Sequence, residues 1–456
     1  MKFFGLFFLR FTFSLFIVNL KVLASINDQP YLLIAAKDSP DLQNPEIDFF
    51  CDGIHDQAEI NYAFKMKKVV VLLDGTYSIE STIIGDNNIL RGQGNQTILK
   101  LSNNIEVGIS IGGSQKLLEI TNPIMKGVSD INTINNLSSY LQAGDFVCLT
   151  SEDTFNGLRG YYWNGEMNQV NSVSNHYITF KQETDYNYTK SPRIIKYNFV
   201  DSVGILDLKI INGNASSIVA DIHEAKNSFY KNVYVDGNNY AKQGLRTSNC
   251  LQFSYDNCIV TNVQDSRSTN FPQGYGYYLF GVVDAEVKQS KGKNNKHSVD
   301  LGGYRYAPVT RNITISNFIA ENDIQESFST HGSTYKVKWI NCQSYESGGG
   351  FLIRSAKNEI IKPTIKTSRK CGYAMRFGEF AQQGGIWDKF DGNGGKDLSI
   401  IDAKIELSGD GLNRYFYFSD PIDNVLISGG KFSGNHVEVL YFKGLKCNNL
   451  KIMHSK

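Results

Sequence analysis

From Gly204 onward the chain repeats one pattern: a short run of alternating apolar and polar residues, an Asn or Gly, then another such run. The runs read ILDLKIING, FYKNVYVDGN, FSYDNCIVTNV, VVDAEVKQS, RNITISNFIAEN, YKVKWINCQS, EIIKPTIKTS, LSIIDAKIEL, VLISGGKFSG and CNNLKIMHS. Alternation with period two predicts strands that bury one face. Aligning the runs at Leu208, Val233, Cys258, Val287, Phe318, Cys342, Thr364, Ala403 and Lys431 sets successive units between 22 and 39 residues apart. Periods of this size mark solenoids, and units made of strands and turns exclude the helical repeats. The pattern therefore predicts an all-β parallel β-helix, in which each coil buries an inward apolar stripe and stacks on its neighbour. Asn212, Asn232, Asn257, Asn317 and Asn341 close the strands, where Asn tolerates left-handed backbone. Cys258 and Cys342 hold matching places (YDNCIV and WINCQS) and are expected as small buried residues of the stack.

Upstream the pattern changes twice. In residues 49–101, Asp56 and Glu59 have the spacing of a helix capping box. Ile60, Ala63 and Phe64 give a short helix one apolar face. VVVLLDGTYSI and ILRGQGNQTILKL then supply strands and turns. A helix laid over the open end of a strand stack blocks edge pairing, so this one is expected as an N-terminal cap. Between Leu117 and Tyr197, hairpin-like alternation predicts a small antiparallel β insertion. Arg159, Tyr161, Tyr162 and Trp163 inside it either form a sugar-stacking surface or pack the insert onto the helix. The first 24 residues carry Lys2, Arg10 and Lys21, an uncharged run from Phe11 to Leu20, and small residues up to Ala24. That is the form of a signal peptide cleaved after Ala24, too short in its apolar run to span a bilayer. The expected organisation is a signal peptide (1–24), the cap with the first coils (25–116), the insertion (117–197) and the main helix (198–456).

Composition sharpens this little. The 25 Tyr and 28 Phe against 9 Pro suit many short strands. The formal charge is +1; removing residues 1–24, which hold three of the 46 basic and none of the 45 acidic residues, takes it to −2. No basic surface is implied, and nucleic acid is excluded as a partner. The seven cysteines show no CxxC and no zinc spacing.

Two stretches carry a family resemblance. Asp52-Gly53, Asp56, Gly75-Thr76-Tyr77 and Gly92-Gln93-Gly94 resemble the opening of pectate-lyase-superfamily right-handed parallel β-helix proteins, a group that includes tailspike-type depolymerases and many secreted polysaccharide-active enzymes. KHSVDLGG, then ESFSTHGS, then SGGGFLIR look like the central coils of such proteins, with His297, His331 and Arg354 on the recurring positions. The resemblance implies a polysaccharide substrate, a secreted or periplasmic location, no stable membrane anchor once the signal is removed, and a monomer or homotrimer. The Asn-Thr-Asp, Asp-Asp and Gly-His-Gly set of polygalacturonases is absent, as is the Asp-Pro-His motif of alginate epimerases.

The candidate chemistry lies in Lys291–Arg354. Residues one coil apart sit about 4.8 Å apart on neighbouring strands. His331 and Arg354 are 23 residues apart, close to one coil, and His297 and His331 are 34 apart, a coil plus an insertion. The three are expected as a ladder on one face. In β-elimination from a uronic-acid polymer, Arg354 would neutralise the substrate carboxylate, His297 or His331 would remove the proton, and Tyr304 would act as acid. In hydrolysis two carboxylates ~5–9.5 Å apart are needed, with Asp300, Asp323 and Glu326 as candidates. Arg305, Asp323, Glu326, Arg376 and Trp387 are the expected substrate-binding residues, although the two acids also read as solvated loop residues. His55, His176, His223, His436 and His454 read as structural or surface residues. No metal site is assigned; Ca2+ at the Gly- and Asp-rich loop after Arg376 is the one candidate cofactor. The expected activity is that of a polysaccharide lyase, with a glycoside hydrolase or a non-catalytic glycan-binding or adhesin β-helix as the alternatives.

Overall fold

The alternating runs form strands that stack in parallel, coil upon coil. Leu208 pairs with Val233, Ile259 with Lys291, Ile319 with Gln343 and Thr364 with Lys404. The computed structural model describes residues 29–453 apart from 121, 156–161, 270–271, 379, 384–385, 391–394, 411–412, 420–421, 436 and 443–446, so the expected signal peptide lies outside the described residues. The strands collect into a 24-stranded and an 11-stranded parallel sheet around one continuous core. The chain is a right-handed parallel β-helix.

The register corrects the sequence alignment at three places. Val287 pairs with Tyr255 and Ile315 and so belongs to a different row from Cys258. Cys258 instead meets Ser290, whose hydroxyl accepts its backbone N–H at 3.1 Å. Thr364 and Lys431 each stand one residue past the aligned row, since their partners are Gln343 and Lys404. The coils differ in loop length, so spacing alone cannot fix register to the residue. Cys258 and Cys342 are buried free thiols, as expected.

Inside, Tyr230, Tyr255, Tyr277, Phe318, Phe328, Trp339 and Phe351 form an unbroken file of fully buried rings with centroids 4.8–5.7 Å apart. Because stacked coils share one lining, a hole in one is a hole in its neighbours. Trp339→Ala is expected to cost about 3–5 kcal/mol, read as a lowered denaturant midpoint. Asn232, Asn257, Asn317 and Asn341 do take positive φ. Their amides also run up the stack: Asn257 donates to Asn232, and Asn232 to Asp207, at 2.8 and 2.7 Å. Asn212 departs from the expectation; its amide instead donates to the carbonyls of Gly213 and Ala215.

The helix Gln57–Met66 covers the N-terminal end, burying Ile60, Ala63 and Phe64. Asp56 is not its side-chain cap. Its oxygens accept the backbone N–H groups of Gly53 and Ser78 at 2.9 and 2.7 Å, tying the helix to the strand Gly75–Ile79.

A six-stranded antiparallel sheet, from Ser114–Glu119 to Arg193–Asn198, stands off the helix with its own core. It docks through Trp163 against Tyr306 (centroids 4.9 Å), Phe155 against Tyr335, and an Asp185–Arg311 ion pair. Gly165 makes the approach possible: a Cβ there would lie 2.2 Å from the Ala307 carbonyl oxygen. Beside this seam Glu166 is almost fully buried, with Oε2 accepting the Asp185 N–H and Oε1 unpartnered. Burial, aided by the Asp185 charge and opposed by that hydrogen bond and by Arg311, pushes its carboxyl up to about 7. A carboxyl raised on folding binds its proton more tightly in the folded state. Its contribution is therefore full below the ordinary carboxylate range and is lost as pH rises towards 7. Glu166→Gln is expected to remove most of the stability lost between pH 5 and 8, on the order of a few kcal/mol, read as a smaller difference in melting temperature between the two pH values.

Candidate active site

The 11-stranded sheet presents one outward row along the helix axis. Its successive partners are Ser110, Asp221, Arg246, Tyr278, Asp300, Ser329, Leu352, Arg376 and Tyr417. In a parallel stack every coil repeats the same outward position, so polar residues there line up on one wall. Over this row lies a groove with a cavity volume of about 770 Å³, lined among others by Asp221, His223, Arg246, Tyr275, Tyr278, Tyr304 and His331, with Tyr162 contributed by the insertion.

At one end Asp300, fully buried in the strand His297–Gly302, stands under His331. The imidazole Nε2 lies 2.9 Å from Oδ2 of Asp300, close but not aligned for a linear hydrogen bond, while Nδ1 is 3.0 Å from the hydroxyl of Tyr162. Burial opposes ionisation of Asp300, yet His331, then His297 and Arg354, hold its carboxyl below the ordinary range. A buried anion thus fixes one edge of the imidazole, and the other edge faces a hydroxyl at the groove floor. That is the geometry of a general base oriented by a carboxylate.

The expected ladder forms in part. His331 and Arg354 follow paired strand ends and do stack, since Ser329 pairs with Leu352 two residues earlier in each. Arg354 is buried: Nε donates to the Thr330 carbonyl at 2.6 Å and a terminal nitrogen to the Ser329 hydroxyl at 2.8 Å. It acts on Asp300 from within the wall and is not presented to the groove. His297 sits at the start of its strand, in the row of Glu326, and His331 lies beyond the end of the next. The Tyr275 ring joins them, 5.9 Å from one imidazole and 6.3 Å from the other. Nδ1 of His297 donates to the Glu326 carbonyl at 2.5 Å, and burial pushes the pKa of this histidine down.

The remaining expected site residues divide. Tyr304 is exposed on the groove rim, and the exposed Arg305 guanidinium lies over Tyr304 and Trp163. Arg376 lies further along the same wall over Tyr373 and Tyr417. Asp323 and Glu326 are neither solvated nor on the groove. Asp323 is fully buried and accepts the Asn295 N–H and the Ser298 hydroxyl, and burial pushes it up to about 7 despite those bonds. Glu326 is buried and accepts the Tyr373 hydroxyl at 2.5 Å. These are wall residues because the strand Glu326–Thr330 is buried on both faces. The Trp387 side chain lies outside the described residues, as does much of the loop expected to hold Ca2+. Cys51, Asp56 and Glu59 at the N-terminal cap bring donor atoms within 4.8 Å of one another. Asp56 already spends both oxygens on backbone N–H groups, and burial holds Cys51 as a thiol.

The other end of the groove was missed. Asp221 accepts a hydrogen bond from Arg246 at 2.6 Å and one from the Ser248 hydroxyl at 3.1 Å. Burial disfavours the Arg246 charge, but its bond to Asp221 outweighs this and raises its pKa. His223, taken from sequence as structural or surface, lines the groove beside Glu224. A signal existed: ADIHEA and LRTSNC stand 25 residues apart in matching register, each with charged and polar residues where a single-faced strand would alternate.

No family model matches the chain, and no curated protein matches it. Solved structures do. The tailspike gp61 of Pseudomonas phage phi297 is similar with a TM-score of 0.62 at 16% identity, over 88% of this chain and 68% of that one. The Gp54 tailspike of Acinetobacter baumannii bacteriophage AP22, in complex with an A. baumannii capsular saccharide, has a TM-score of 0.62 at 14% identity, over 92% of this chain and 69% of that one. The tailspike gp49 of Pseudomonas phage LKA1 has a TM-score of 0.58 at 16% identity, over 88% and 72%. At these identities the likeness is one of fold: a right-handed parallel β-helix shared with phage tailspikes.

Proposed function

We propose that the protein is an exported polysaccharide-cleaving enzyme that acts by β-elimination on a uronic-acid-containing glycan held in the groove. The observation that carries this is the chain of contacts Asp300–His331–Tyr162 at the groove floor. With its proton on Nε2, 2.9 Å from the Asp300 carboxylate, His331 holds the lone pair on Nδ1 and draws the proton of Tyr162. The tyrosine oxygen then removes the proton beside the substrate carboxylate, and the same hydroxyl, or Tyr304 on the rim, returns a proton to the leaving glycosidic oxygen. Arg305, exposed above Tyr304, is the cation placed to neutralise the uronate carboxylate, a role its fork geometry suits. Hydrolysis is less well supported. The carboxylates that line the groove, Asp221 and Glu224, lie three coils from Asp300, about 14 Å at the spacing of stacked strands, beyond the ~5–9.5 Å of a hydrolytic pair. The fold likeness to a tailspike bound to a capsular saccharide supports a polymeric glycan. The signal-like first 24 residues support export, and among the described residues no helix is long and apolar enough to cross a membrane.

The test is incubation with acidic polysaccharides while both ultraviolet absorbance and reducing ends are followed. Rising absorbance together with new ends is the expected result. New ends alone would assign a hydrolase, and binding without either would assign a glycan-binding module. Arg305→Ala is expected to raise KM for the polymer about 10-fold, in keeping with ~1–2 kcal/mol for a charge-assisted contact, with a smaller change in kcat.

A further inference from the structure

The end of the groove away from Asp300 holds a second constellation that glycan cleavage does not use. Ser110, half-buried on the strand Val107–Gly112, places its Oγ 3.0 Å from Nε2 of His223. Nδ1 of the same imidazole lies 2.5 Å from Oε2 of Glu224. The other carboxylate oxygen, Oε1, accepts the Asn249 amide at 2.9 Å, so Glu224 is held at both ends. We propose that Ser110, His223 and Glu224 form a Ser–His–Glu catalytic triad that hydrolyses short-chain carboxylic esters.

Three independent features support the assignment. The gradient of exposure is that of a working triad: the hydroxyl and imidazole reach the groove, and Glu224, which also borders it, is the most buried of the three. The backbone is shaped for it. Glu224 closes its strand at φ +42°, as Asn249 does at +51° one coil on, and the turn brings its carboxylate onto the neighbouring imidazole. Gly112 lets His223 approach, because a Cβ there would fall 2.1 Å from its carbonyl oxygen and 2.5 Å from its Nδ1. The electrostatics also agree. Burial opposes the charged imidazole, but the Glu224 hydrogen bond and the Asp221 charge outweigh it, which favours the imidazolium formed when the serine proton arrives.

The step balances with water as the only co-reactant. Nε2 of His223 takes the Ser110 proton as Oγ bonds to the ester carbonyl carbon. The tetrahedral intermediate collapses, the carbon–alkoxy oxygen bond breaks, and the imidazolium returns the proton to the departing alcohol. Water, activated by the same imidazole, then releases the carboxylic acid and restores Ser110. Arg246, two positions along the row from Ser110 and anchored by Asp221, is the cation available to the developing oxyanion. The site is about 19 Å from Asp300, four strand spacings along the wall. O-acyl groups on a glycan lying in that groove are thus the natural class of ester, an assignment of substrate that rests on the glycan reading above; the ester chemistry does not.

The experiment uses reagents without sugar, so its result is separate from that of polysaccharide cleavage. The protein should turn over p-nitrophenyl acetate, and Ser110→Ala should lower kcat/KM at least ~100-fold, as loss of a nucleophile does, at an unchanged melting temperature. Wild-type protein treated with a fluorophosphonate should carry the adduct on the peptide containing Ser110 and lose ester hydrolysis in step, a readout that needs no variant to fold. An unlabelled Ser110, or hydrolysis that persists in folded Ser110→Ala protein, overturns the proposal.

Discussion

Asp300→Asn is expected to lower kcat for polysaccharide cleavage by about 10³–10⁴-fold, the scale seen when the carboxylate that orients a catalytic histidine is replaced by its amide. The substitution is isosteric at a fully buried position, so the coil keeps its packing. What changes is charge. Asp300 is held ionised by His331, His297 and Arg354 around it, against the cost of its burial. When His331 accepts a proton at Nδ1 it becomes a cation at both edges, and the buried anion 2.9 Å from Nε2 is what stabilises that state. An amide supplies no such charge and can turn its NH2 towards the ring, which would reverse the tautomer and aim an N–H at Tyr162. The loss should fall on kcat with KM little moved, because Asp300 has no surface with which to touch substrate. A kcat within tenfold of wild type in folded Asp300→Asn protein would remove His331 from the chemistry.

The legible part of this protein follows from repetition. Period-two runs at near-regular spacing specify strands, and strands that cannot bury themselves alone must stack. The stack of His331 on Arg354 was readable for the same reason: both end one-coil units of nearly equal length. His297 was misplaced because the loop 303–309 shifts the count between its coil and the next. Asp323 and Glu326 were misplaced for a different reason. Acids in a polar stretch read as solvated, and only coordinates show that the strand they flank is covered on both sides. The contacts with most chemical content were not legible at all. Ser110 meets His223 across 113 residues and Tyr162 meets His331 across 169, in both cases because the antiparallel insertion interrupts the coil count. No periodicity links such pairs.

That separation gives Tyr162 its diagnostic value. Tyr162→Phe is expected to lower kcat about 10²–10³-fold, the range of a proton-transferring side chain, while leaving the insertion docked. Docking rests on Trp163 against Tyr306, the Gly165–Ala307 approach and the Asp185–Arg311 pair, none of which needs the Tyr162 hydroxyl. The ring itself is buried and stays so as Phe. If instead His331 removed the substrate proton directly, the phenol would only tune it, and kcat would fall by less than about tenfold, ~1.4 kcal/mol or less, in line with the loss of one hydrogen bond. A kcat within about tenfold of wild type in folded Tyr162→Phe protein would assign the base to His331.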